Sequence, residues 1–221
     1  MTTTLMTYAG PGEPDALVTR TGGNPLAPAG TAWPRCATCD GPMQFLAQIV
    51  LDEQGRPVTG GDIRADRVMA VFMCQNDPGM CEEWSPTEGG NRALLFPAGA
   101  LRPMPVPAPE PPEDEDAFVL GAVNSVALVV MPAADYRGAR QEWADLGGNN
   151  PREVLGQLGG TPDWLQGDET PPCPACARPM DLVAQLEEGP APATAMNFGG
   201  GGSAFAFACA ACARAAFLWQ C

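Results

Sequence analysis

The chain has 221 residues and a net charge of −14, and its 12 basic residues are all Arg, with no Lys and no His. That composition excludes imidazole bases, Ser-His-Asp and Cys-His nucleophiles, Schiff-base lysines and the phosphate-loop lysine. The length allows one large domain or two small ones with a real core, and the acidic balance suits a basic partner while repelling phosphate backbones.

No apolar run approaches the ~20 residues of a membrane span. The start carries no basic residue ahead of an apolar segment, so a cytoplasmic location is expected. In a reducing compartment the nine cysteines point to metal or redox chemistry more than to structural disulfides.

Taken in chain order, residues 1–19 read as an irregular N-terminal arm. Residues 21–35 form a loop with turns at Gly22-Gly23 and Pro28-Ala29-Gly30. Residues 43–51 are apolar and bulky, hence a strand. Residues 52–66 are a polar, Gly-containing excursion. A second strand, 68–73, leads to Cys74; the turn at 75–80 leads to Cys81; 93–96 is a short third strand. Residues 101–117, with alternating prolines and then Glu113-Asp114-Glu115-Asp116, read as an extended acidic linker.

Residues 118–131 are the most apolar segment and predict a buried strand, broken near Asn124-Ser125. Pro132 then opens a helix whose stripe is Tyr136, Ala139, Trp143 and Leu146, ended by Gly147-Gly148. Asn150-Pro151-Arg152-Glu153 carries the signals of a second short helix: an N-cap, Pro at the first position and a capping Glu. Gly159-Gly160 stops it. Residues 181–187, the stretch through Phe205 and Phe207 to Cys209, and 215–221 are strands.

The two ends of this list repeat one design. Gly23 and Gly160, Cys36 and Cys173, Met43 and Met180, Gln48 and Gln185 are each separated by 137 residues. A constant offset across four residue types predicts an internal duplication. The expected organisation is an arm (1–19), a first repeat (20–100), a linker (101–117) and a second repeat (118–221). The expected fold class is α+β, mainly antiparallel β, with two pseudo-symmetric repeats and two short helices between them.

Each copy carries a four-cysteine pattern: Cys36, Cys39, Cys74 and Cys81 in the first, Cys173, Cys176, Cys209 and Cys212 in the second. Cys221 is left over. A Cys-x-x-Cys turn and a second pair at a strand end can close a tetrahedron around zinc at about 2.3 Å, leaving no open coordination position. Two structural zinc ions are therefore expected, each four-thiolate site adding about −2 to the charge. An iron–sulfur cluster is the chief rival. Gln48 and Gln185 end apolar strands and need hydrogen-bond partners, in the backbone or in a ligand. Trp33 and Trp164 follow the Gly-Gly turns and either pack over the cysteine turns or line a groove. These four are the candidate partner-binding residues.

Gly22-Gly23-x-Pro25, Trp33-Pro34 and Gly41-Pro42-Met43-Gln44-Phe45-Leu46-Ala47-Gln48 resemble the bacterial YwqG-like proteins, which generally lack the cysteines. The Cys-x-x-Cys–Pro-Met–Leu–Gln pattern, the later cysteine pairs and Leu158-Gly159-Gly160-x-Pro162-x-Trp164 resemble the programmed-cell-death-protein-two family, which includes chaperones of a small-subunit ribosomal protein. The resemblance covers residues 20–84 and 156–219. It implies a non-enzymatic, chaperone-like protein-binding module for a basic protein. The alternatives are a zinc-ribbon-type nucleic-acid binder and a toxin-immunity-type interaction protein; no catalytic residues are predicted.

Overall fold

The computed structural model describes residues 2–60, 64–107, 120–190 and 196–221. In chain order the strands are β1 (Thr3–Pro11), β2 (Arg20–Thr21), β3 (Leu26–Pro28), β4 (Gln44–Leu51), β5 (Arg67–Met73), β6 (Asn91–Pro97), β7 (Leu101–Pro103) and β8 (Asn124–Met131). Helix α1 (Tyr136–Gly147) follows, then β9 (Val154–Leu158), β10 (Asp181–Glu187), β11 (Ser203–Cys209) and β12 (Arg214–Gln220). Ten strands form one antiparallel sheet in the order β12-β11-β10-β9-β1-β8-β2-β4-β5-β6; β3 and β7 pair separately. The sheet curls until its ends approach, with Arg67 Nη1 donating to Ala210 O at 3.2 Å and Trp219 N to Trp84 O at 3.4 Å. The result is a nearly closed, barrel-like sheet. Among the described residues no helix is long and apolar enough to cross a membrane.

Period-two alternation decides what each strand buries. On β5, Met69, Val71 and Met73 enter the core shared across the barrel, while Ala70, Phe72 and Cys74 point to a second core on the outer side. On β11, Ala204, Ala206 and Ala208 join the shared core, and Phe205, Phe207 and Cys209 join an outer core of their own. This pleat delivers Cys74 and Cys209 to the outside of the barrel. A one-residue register shift interrupts β4 between Phe45 and Ala47 and β10 between Leu182 and Ala184. These bulges turn the strand ends toward the cysteine turns.

Several sequence expectations need correction. The segment 1–19 is not an irregular arm: β1 lies at the middle of the sheet, between β8 and β9. Its partners, Asn124–Met131 and Val154–Leu158, are far away in the sequence. The predicted strand 118–131 begins at Asn124 and is half-buried, with Val130 exposed. Helix α1 is capped by Asp135, whose side chain accepts from Gly138 N, and ends at Gly148 in the left-handed region. Its stripe is buried at Tyr136 and Ala139, but Leu146 is 73% exposed. The second helix is a single 3₁₀ turn, Pro151–Glu153, with Asn150 accepting from Arg152 N; the chain then enters β9. The linker expected at 101–117 opens with β7, and residues 108–119 lie outside the described residues.

Tyr136 ties α1 to the sheet. Its hydroxyl donates to Glu187 Oε1 at 2.9 Å, which also accepts from Ser203 Oγ at 3.1 Å. Burial first, then the Glu187 carboxylate, raises the phenol well above its ordinary value of 10.0. Because the folded value is raised, the stabilisation is complete below pH 10 and is lost as pH rises through the folded value. In an alkaline titration Tyr136 is expected to ionise only together with unfolding, followed by phenolate absorbance and circular dichroism. Ionisation near the ordinary value with the fold retained would contradict this.

Candidate metal centres

The two Cys-x-x-Cys turns are built alike. In the first, Cys36 N donates to Gly41 O at 2.9 Å and Asp40 N to Cys36 O at 3.0 Å. In the second, Cys173 N donates to Arg178 O and Ala177 N to Cys173 O, both at 2.8 Å. Arg35 bridges to Pro42 and Pro172 to Pro179, closing each turn. Asp40 (φ 57°) and Ala177 (φ 58°) occupy the left-handed region in equivalent places. The backbone thus folds both sulfurs of each turn toward one point.

The second limbs come from β5 and β11. Cys74 N donates to Gly90 O at 2.8 Å, and the loop to Cys81 is closed by Met80 N donating to Asp77 O at 3.1 Å. Asn91 Nδ2 holds this loop through Glu83 O at 2.8 Å and Ser85 O at 2.9 Å. After Cys209, the 3₁₀ turn Ala210–Cys212 brings Cys212 back directly. Four extra residues therefore separate the first site's second pair, without changing where the sulfurs arrive.

All four sulfurs of Cys36, Cys39, Cys74 and Cys81 lie within 4.8 Å of one another, and so do those of Cys173, Cys176, Cys209 and Cys212. The nine cysteines are free thiols. The sulfurs of Cys39 and Cys74 are 3.7 Å apart, those of Cys176 and Cys209 3.9 Å. These distances match the ~3.8 Å edge of a tetrahedron with 2.3 Å metal–sulfur bonds and far exceed a disulfide at about 2.05 Å. The eight predicted ligands fall into two groups that can hold a metal ion each. Cys221 belongs to neither.

The electrostatics fit a cation. In the first group, burial opposes ionisation of Cys36, but the N–H groups of Cys39 and Thr38 outweigh it and lower the thiol. Burial pushes Cys74 up to about 11 and raises Cys81 further, its neighbouring thiols adding to the effect. In the second group, the backbone N–H of Arg178 and then its guanidinium bring Cys176 down to about 6. Hydrogen bonds to Cys176 and Cys209 push Cys212 up to about 12. Without a cation, one thiol in each group ionises more readily at the expense of another. A bound dication reverses that by displacing the remaining protons.

The surroundings complete each centre. Asn76 Nδ2, which the sequence did not single out, donates to Cys74 Sγ at 3.2 Å, Cys39 Sγ at 3.5 Å and Pro42 O at 3.2 Å. Such second-layer donors orient ligands and partly neutralise thiolate charge. Trp33 lies edge-on to Phe72 with ring centroids 5.5 Å apart, its indole N–H donating to Met43 O at 2.8 Å. Trp164 packs on Phe205 at 4.4 Å. Both tryptophans pack against the outer cores.

Gln48 and Gln185 are buried. Gln48 Nε2 donates to Ala16 O at 3.0 Å and Val18 O at 2.9 Å. Gln185 Oε1 accepts from Gln157 Nε2 and Asp163 N, both at 3.0 Å. Gln220 does the same work unforeseen: its Oε1 accepts from Leu165 N and Gln166 N, and its Nε2 donates to Gly167 O and Glu169 Oε2. The signal was available, since Gln220 also closes an apolar strand. Comparison with protein-family models and with curated proteins gives no match.

Proposed function

We propose that the chain is a non-enzymatic, cytoplasmic protein-binding module, built from two copies of one unit and held by two structural zinc ions, which captures a basic protein segment. The observation that carries the reading is the pair of closed four-cysteine groups. Four thiolates saturate a zinc ion, so the metal braces the fold and presents no reactive position. The absence of Lys and His and the charge of −14 favour recognition of a basic partner over phosphate chemistry.

The strand order supports the two-copy part of this reading. From either end the sheet runs through a corresponding set: β12, β11, β10, β9 on one side and β6, β5, β4, β2 on the other. At the centre β1 and β8 pair antiparallel about Thr7 and Ala127. On this reading each copy lends its first strand to the other, β1 lying beside β9 and β8 beside β2. The motif resemblance to the YwqG-like and programmed-cell-death-protein-two families adds the chaperone-like character, with ribosomal proteins as one class of basic client.

Affinity capture from lysate of the source cells tests the reading. The expected result is one basic protein in near-equal amount, released by raised salt. No salt-sensitive protein partner, or recovery of nucleic acid instead, would overturn it.

A further inference from the structure

Two corresponding grooves lie on the sheet, and the chain fills one of them itself. The first is bordered by Gly22, Gln44 and Phe45 and covered by Glu188, Gly189 and Met196. Residues 120–123 run through it. Leu120 bridges in parallel to Phe45 and packs on the outer core there. Gly23 N donates to Gly121 O at 3.1 Å. A Cβ on Gly22 would overlap the Ala122 carbonyl oxygen, so that position needs glycine. Only about 10 Å³ of space remains.

The second groove repeats the framework 137 residues on, with Gly159, Gly160, Asp181 and Leu182 at the places of Gly22, Gly23, Gln44 and Phe45. Gly159 N donates to Val183 O at 2.8 Å, as Gly22 N does to Leu46 O at 2.7 Å. Residues 54–57 of the β4–β5 connection form its far wall. Here none of the described residues occupies the space. The cavity measures about 480 Å³, within the ~300–1,000 Å³ of ligand sites. A Cβ on Gly159 would meet nothing within 4 Å. Among the described residues the Gly160 N–H makes no hydrogen bond, with Gln157 Oε1 3.5 Å from where a Gly160 Cβ would sit, whereas its counterpart on Gly23 is bonded.

We propose that this second groove binds an extended segment of a partner protein in the manner of residues 120–123: an apolar anchor in the place of Leu120, small residues after it, and Arg or Lys before it. The basic residue follows from the register. Parallel continuation from the Phe45–Leu120 bridge brings the residue before the anchor beside the Gln44 position, which in the second groove is the exposed carboxylate of Asp181. Arg56 also lines the groove, but it is held by Asp52 at 3.1 Å. Main-chain bonding to the Gly160 N–H supplies affinity and the anchor supplies selectivity, as in strand-addition recognition. The proposal deepens the protein-binding reading and rests on it.

The test uses the full, metal-loaded chain and a fluorescent heptapeptide, Phe-Arg-Leu-Gly-Ala-Val-Asn, which is the sequence of residues 118–124 with Val119→Arg. Saturable binding is expected. Asp181→Arg should weaken it at least about tenfold and transfer the preference to the peptide with Glu in place of Arg. Gln54→Trp, at the exposed wall, should weaken binding of both peptides while leaving metal content and melting temperature unchanged. No saturable binding up to about 1 mM, the result if the chain's own residues fill the space, would overturn the proposal, and so would indifference to Asp181→Arg. Basic-partner capture that persists in Asp181→Arg would remove the groove and leave the protein-binding reading standing. Loss of capture and of peptide binding in the unmodified chain would remove both.

Discussion

Changing Cys173 and Cys176 together to Ser is expected to unfold the protein. The pair supplies half of one ligand group, and the core beneath it is small: Met180, Leu182, Phe205, Phe207 and Leu218 with the cysteines themselves. Four-thiolate zinc binding is worth about 10–16 kcal/mol in small domains at neutral pH, which is comparable to the ~5–15 kcal/mol net stability of a whole protein. The loss does not stay local. Val183, Ala184, Ala206 and Phe217 on β10–β12 share the barrel core with Ile49, Met69 and Val71 on β4–β5. Loss of the cooperative melt and of native circular dichroism is expected, both in the double variant and after a strong chelator. An unchanged melting temperature in either experiment would contradict it.

Arg20→Leu is expected to cost about 3–5 kcal/mol, since it removes three hydrogen bonds from a charged donor, each worth about 1.5 kcal/mol or more. Arg20 is 1% exposed, and its guanidinium donates to the carbonyl oxygens of Ala16, Gly22 and Asn24 while lying 5.6 Å over the Phe45 ring. Burial lowers its pKa to about 10, with Asp15 opposing, so it stays charged at neutral pH. Without it three carbonyls lose their donor, that of Gly22 in a buried bond and those of Ala16 and Asn24 in partly buried ones. Arg20→Lys should rescue little, because an ammonium cannot reproduce the planar fork. The position 137 residues on is Gln157, whose amide donates to Thr161 O and Gln185 Oε1. Fewer and neutral bonds are at stake there, so Gln157→Ala should cost about 1–3 kcal/mol. Urea unfolding measures both. A loss under about 1 kcal/mol for Arg20→Leu would show that the arginine is a passenger.

What the sequence made legible was whatever is encoded over short distances. The turns Cys36-x-x-Cys39 and Cys173-x-x-Cys176 fix their own backbone, and the strands ending at Cys74 and Cys209 alternate cleanly enough to read. The helix stripe from Tyr136 and the Asn150 cap were legible for the same reason, although the cap served only one 3₁₀ turn. After that turn Val154 and Leu155 are drawn into the sheet beside β1, a tertiary effect that no local signal carries. β1 was missed on the same ground. Its residues Thr3–Tyr8 include strand-forming Thr and Tyr, but its place between β8 and β9 is set by partners far along the chain. That Gln48 and Gln185, each closing an apolar strand, need hydrogen-bond partners is legible in the sequence, but spacing does not say whether a partner is internal. Gln48 and Gln185 turn inward because the β1–β2 connection offers the first two carbonyls, and Gln157 on β9 and Asp163 in the loop after it offer the second two N–H donors. Asn76 reaches two sulfurs only because the Cys74–Cys81 loop folds back, and nothing in its sequence neighbourhood announces that.

Metal analysis combined with X-ray absorption on the purified chain bears on the structural-metal reading most directly. Two equivalents of zinc per chain, each bound by four sulfurs at about 2.3 Å, is the expected result. Fewer than one equivalent, a shell containing nitrogen or oxygen, or cysteines recovered as disulfides would contradict it.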